Sequence, residues 1–213
     1  KEGTGQVLHV YLEGDGRPWR TRNRVSLDPT PDNPVVLELM ALDSAPALYL
    51  GRPCYFGVKD PLCSPDWWTD RRYAETVVAS LDRVIDRYVE DRAGIVLIGH
   101  SGGGALAMLL AERRSDVLAV VTLAGNLDTG AWAKRHGYTP LSGSLNPADR
   151  PPLGNGTRQL HLVGAHDEVI TTAMLEAVLE ARPGAELRIV AGADHSCCWR
   201  EVWPEVLAEL DAE

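Results

Sequence analysis

Ile95-Val96-Leu97-Ile98-Gly99-His100-Ser101-Gly102-Gly103-Gly104 is an apolar run that passes through Gly-x-Ser-x-Gly into small and apolar residues of helical character. A serine on so tight a strand-to-helix turn stands exposed above the end of a sheet, and only small neighbours let strand and helix close around it. Gly99 and Gly103 meet that need. The helix that follows brings its positive dipole end, and the Gly102 amide is placed to donate to an oxyanion. Such a serine can attack an acyl carbon if a base removes its proton.

Six histidines compete for that role: His9, His100, His136, His161, His166 and His195. His9 and His161 fall inside predicted strands, and His100 belongs to the turn itself. His195, in Ala191-Gly192-Ala193-Asp194-His195-Ser196, follows a strand end on the edge where open α/β sheets build their sites, and it is the expected base. A carboxylate must then hold the imidazole tautomer, from a strand end between serine and histidine in chain order. Asp167, just past the strand in Leu162-Val163-Gly164-Ala165-His166-Asp167, fits best. Its neighbour Glu168 and Asp128, beyond the preceding strand, are the alternatives; Asp194 adjoins the histidine too closely to orient it.

Positioning these groups requires a parallel sheet, and short apolar runs alternating with amphipathic stretches supply its pattern. Strands are expected at Gln6 to Leu12, Ala47 to Leu50, Gly94 to Ile98, Val117 to Leu123, Arg158 to Val163 and Ala185 to Val190. Helices are expected over Thr69 to Asp91, Ser101 to Arg113, Thr171 to Ala181 and Trp199 to Leu210. Residues 128–156 are rich in Gly, Pro, Ser and Asn and form an irregular connection with room for a small cap. The 213 residues suit one domain, 1–213. A net charge of −9 provides no overall attraction to nucleic acid or to an anionic membrane, and no apolar run approaches the roughly 20 residues of a membrane span.

The cysteines bear on compartment. Cys54 and Cys63 flank a Pro/Gly-containing loop whose spacing suits a disulfide, hence an oxidising, extracytoplasmic compartment; free thiols would return the protein to the cytoplasm. Cys197 and Cys198 are adjacent and are expected to be packing residues ahead of a vicinal disulfide, and no spacing of metal-ligating type occurs. Trp19, Trp67, Trp68, Trp132 and Trp199 all follow strand ends, which makes them candidates for an apolar substrate wall, or plugs between loops and helices.

The Gly-His-Ser-Gly-Gly turn, the strand-end Asp167 and the late His195, in that order, resemble the α/β-hydrolase superfamily over essentially the whole chain. Leu12-Glu13-Gly14-Asp15-Gly16, Tyr49-Leu50-Gly51-Arg52-Pro53-Cys54 and Asp194-His195-Ser196-Cys197-Cys198-Trp199 resemble small bacterial hydrolases of the cell envelope. The resemblance implies a three-layer α/β sandwich. The superfamily sheet usually begins with two further strands for which no sequence precedes Gln6, so six parallel strands are expected without that N-terminal pair. Where many members carry His-Gly before the second oxyanion donor this chain has Glu13-Gly14, so by position the donor amide is that of Asp15, with a carboxylate beside it that should oppose negative charge.

These readings converge on a serine hydrolase of a small-molecule ester, most readily a carboxylic ester, needing no metal or organic cofactor. Thioesterase, acyltransferase, lipase and peptidase share the machinery, and a binding protein on a hydrolase fold is the non-catalytic alternative.

Overall fold

A computed structural model describes residues 5–154 and 156–211. Six strands form one parallel sheet: β1 (Val7–Leu12), β4 (Ala47–Tyr49), β5 (Gly94–His100), β6 (Val117–Leu123), β7 (Arg158–Gly164) and β8 (Ala185–Val190), in the order β4-β1-β5-β6-β7-β8. The central strand β5 is buried along all seven residues, which is why it reads as an unbroken apolar run. An antiparallel hairpin, β2 (Trp19–Thr21) with β3 (Arg24–Val25), stands apart from the sheet in the connection after β1.

The helices are α1 (Val35–Met40), α2 (Glu75–Ile85), α3 (Gly102–Arg113), α4 (Thr129–His136), α5 (Thr172–Leu179) and α6 (Trp199–Asp211). With α1 packed on α6 and α2 on α3, helices layer the sheet as a three-layer α/β sandwich. Trp203 of α6 is fully buried and meets Tyr11 of β1 edge-on, ring centroids 6.1 Å apart.

Three expectations need correction. The long helix begins at Glu75 rather than Thr69, because Pro65–Trp68 form a 3₁₀ turn capped by Ser64 and the Arg72 Nε–H turns back to the Thr69 carbonyl, 2.7 Å away. It ends at Ile85, leaving Tyr88 half exposed beyond it. The connection 128–156 carries a helix, α4, whose N-cap Asp128 accepts from the Gly130 and Ala131 amides and whose last turn, Lys134-Arg135-His136, ends on left-handed Gly137. Among the described residues no helix is long and apolar enough to cross a membrane.

Candidate active site

Ser101 links β5 to α3 with φ 52° and ψ −118°, a strained conformation for a residue with a side chain. The strain is enforced by crowding. A Cβ on Gly99 would lie 2.3 Å from the Gly103 carbonyl oxygen, and one on Gly103 would lie 2.0 Å from that of Leu12. Strand, turn and helix therefore close only with glycine at both positions.

Two strand ends bring the partners. The loops after β7 and β8 are tied by bonds from the Ala165 amide to the Val190 carbonyl (3.0 Å) and from the His166 amide to the Ala193 carbonyl (3.0 Å). Across this junction Asp167 Oδ2 lies 2.9 Å from His195 Nδ1, and His195 Nε2 lies 3.0 Å from Ser101 Oγ. Because a carboxylate only accepts, Nδ1 carries the proton and Nε2 is left to accept from the serine hydroxyl. The other Asp167 oxygen accepts from the Val169 and Ile170 amides, each at 2.8 Å, which fixes the carboxylate. Asp128 is occupied as the α4 cap, and Asp194 accepts from the Ser196 and Cys197 amides.

His100 has a part that sequence reasoning missed. Its Nε2–H donates to the His195 carbonyl at 2.6 Å, so the turn holds the loop that carries His195. Burial and then the neighbouring His195 push its pKa down to about 4, so it stays neutral.

Asp15 lies in the loop after β1, against the turn: a Cβ on Gly102 would fall 2.0 Å from Asp15 Oδ1 and 2.4 Å from the Tyr73 hydroxyl. The carboxylate does not turn away, as its adjacency to an oxyanion donor would suggest; it is neutralised in place. Arg52 Nη1 donates to Oδ1 at 2.6 Å, while Arg72 Nη1 (2.9 Å) and the Tyr73 hydroxyl (2.6 Å) donate to Oδ2. Burial raises the Asp15 pKa, but the two guanidinium groups and the hydroxyl outweigh it and hold the group well below the usual carboxylate range. Arg52 Nη2 also donates to the Glu13 carbonyl and the Tyr55 hydroxyl to the Asp15 carbonyl, both at 3.1 Å. Glu13 is buried as well, its oxygens accepting from the Gly14 and Val36 amides and the Tyr49 hydroxyl. Among the described residues the Asp15 amide makes no hydrogen bond, so it is a free donor held between pinned carbonyls. Arg52, Arg72 and Tyr73 stand 37, 57 and 58 residues from Asp15 in sequence, and no local signal links them to it.

Two of the tryptophans offered for a substrate wall are core residues. Trp199 is 2% exposed and Trp68 5%, the latter donating from Nε1 to the Ser26 carbonyl, so neither presents a face to a substrate. Trp67 and Trp132 are partly buried, Trp132 against His136 and Tyr138, and Trp19 is half exposed on β2. Cys54 and Cys63 are joined as a disulfide. Cys197 and Cys198 are also bonded to each other, correcting their reading as free packing residues.

No protein-family model matches the chain, and no curated protein matches it. Solved structures do. An α/β serine hydrolase homologue from Coxiella burnetii superposes with a TM-score of 0.63 at 15% identity, covering 98% of this chain and 88% of that one. An esterase from Pyrococcus furiosus gives 0.63 at 14% identity, with 98% and 82% covered. Esterase PE8 gives 0.58 at 18%, with 99% and 94% covered. At these identities the likeness defines the fold, and the chain has the α/β-hydrolase fold.

Proposed function

We propose that the protein is a serine hydrolase that cleaves carboxylic esters through an acyl-enzyme. The observation that carries this reading is the hydrogen-bonded line from Asp167 through His195 to Ser101 on the strained turn. Ser101 Oγ attacks the ester carbon while His195 Nε2 takes its proton, giving a tetrahedral oxyanion held by the Gly102 and Asp15 amides. Collapse expels the alcohol, which leaves with the proton from His195. Water then repeats the sequence on the acyl-enzyme and releases the acid and free Ser101. Asp167 stabilises the imidazolium in both halves. The esterases among the solved structures of this fold support the choice of ester over other acyl compounds. The Cys54–Cys63 disulfide supports an extracytoplasmic location.

A fluorophosphonate probe should label Ser101, and short-chain aryl esters should be turned over. Ser101→Ala and His195→Ala should each lower kcat by about 10⁶ if the three residues act as a unit, with the circular dichroism spectrum unchanged. Either variant keeping a tenth of wild-type turnover would overturn the assignment.

A further inference from the structure

Twelve large hydrophobic side chains are exposed among the described residues, and five of them cluster on two connections: Trp19 and Leu27 after β1, Phe56, Val58 and Leu62 after β4. Leu27 and Leu62, at 84% and 83%, are the most exposed of the twelve. The two connections form one surface. Trp68 Nε1 reaches the Ser26 carbonyl at 3.1 Å, the Phe56 amide donates to Thr30 Oγ1 at 2.5 Å, and the disulfide returns Cys63 to Cys54. Tyr55, between the exposed Phe56 and the bridge, bonds the Asp15 carbonyl, so the surface borders the candidate site.

The β1 side of this surface is cationic on an acidic chain. Exposed Arg17, Arg20, Arg22 and Arg24 stand there against exposed Asp28 and Asp32, while the β4 side carries exposed Lys59 and Arg71 with exposed Asp60 and Asp66. Asp32 is taken by Arg17 at 2.9 Å, whereas Arg20, Arg22, Arg24 and Lys59 have no ion-pair partner among the described residues. Asp28 and Asp60 are exposed and accept within their own loops, from Thr30 and from the Leu62 amide. The net charge of −9 conceals this excess on the β1 side.

Cations interleaved with bulky apolar side chains match a boundary that is anionic outside and apolar beneath. A soluble polyanion would satisfy the arginines and leave Leu27, Leu62 and Trp19 in water. We propose that this surface docks the protein on an anionic lipid bilayer, with Arg20, Arg22, Arg24 and Lys59 at the headgroups and the five apolar side chains in the interfacial layer. The proposal does not depend on the hydrolase reading, because docking is measured without turnover.

Flotation with vesicles of phosphatidylcholine containing one third phosphatidylglycerol tests it. Wild type should float with these vesicles, release in high salt and leave pure phosphatidylcholine vesicles largely bare. At about fivefold per cation, the triple variant Arg20→Gln, Arg22→Gln, Arg24→Gln should bind about a hundredfold more weakly. Leu27→Ser with Leu62→Ser should bind at least tenfold more weakly, and as both side chains are exposed the fold should survive. No flotation of the wild type would overturn the proposal. So would unchanged binding by the leucine variant together with retention on dextran sulfate, which marks a polyanion site, or a wild-type dimer that the leucine variant dissolves, which marks a contact between copies.

Discussion

At the scale of single residues the candidate site is governed by the neutralisation of one carboxylate. Asp15 presses against Gly102, where negative charge would develop, and the Arg52 and Arg72 guanidinium groups and the Tyr73 hydroxyl absorb its charge while fixing the loop. Removing a charged partner from such a buried cluster leaves an uncompensated ion, so Arg72→Gln should lower stability by about 3 to 5 kcal/mol. Tyr73→Phe removes only a hydroxyl and isolates the effect on chemistry. Its kcat on an aryl ester should fall about tenfold, a fraction of the 10² to 10³ that a whole oxyanion donor commands. KM should stay within about threefold, and a boronic acid that mimics the tetrahedral state should bind more weakly by the same factor as kcat, because the loss falls on the transition state. An unchanged boronate affinity would confine Tyr73 to a structural role. None of these partners is visible from Asp15's own neighbourhood in sequence, whereas Ser101, Asp167 and His195 are nominated by the turn and by strand ends, features written in contiguous residues.

At the scale of elements, the sheet was legible because buried parallel strands leave continuous apolar runs, and five of the six expected strands lie within one residue of their observed ends, while β5 runs on two further residues through Gly99 and His100. The short pieces were not. Helix α1 has six residues and the β2–β3 hairpin five strand residues, too few for a period to emerge, and α4 shows itself only through its Asp128 cap and Gly137 stop. Helix α3 meets the end of β1 backbone against backbone. Gly103→Ala would drive a methyl into the Leu12 carbonyl, backbone that cannot rotate away, and should destabilise the fold by about 3 kcal/mol, at the upper end for overpacking. A urea midpoint equal to wild type would show that the helix slides freely on the strand. The Cys54–Cys63 bridge closes a short loop beside Tyr55, and its reduction should cost about 2 to 3 kcal/mol by chain entropy, read as a lower melting temperature.

At the scale of the whole molecule, two buried histidines make stability depend on pH between about 4 and 6.5. Burial, with the charge of His195, pushes His100 down to about 4; burial, with the charge of Arg182, pushes His161 down to about 3. His161 is fully enclosed, paired through Nδ1 with Thr122 Oγ1 at 2.8 Å, and its Nε2 has no partner among the described residues. In the unfolded chain both take up protons near pH 6.5, so below that value the unfolded state binds up to two more protons than the folded one. Stability is therefore fully present above about pH 6.5 and is lost as pH falls toward 4. Glu13 works the other way: burial raises its pKa, so the folded protein gains that proton first and offsets part of the loss. Near pH 5 the net slope should lie between about 1.4 and 2.7 kcal/mol per pH unit, one to two protons' worth. Urea midpoints at pH 7, 6 and 5 measure it. His161→Leu, whatever its absolute stability, should flatten the slope by about 1.4 kcal/mol per unit, since it deletes one of the two protons. A midpoint constant from pH 7 to 5 would mean that both imidazoles reach water in the folded protein, contrary to their burial.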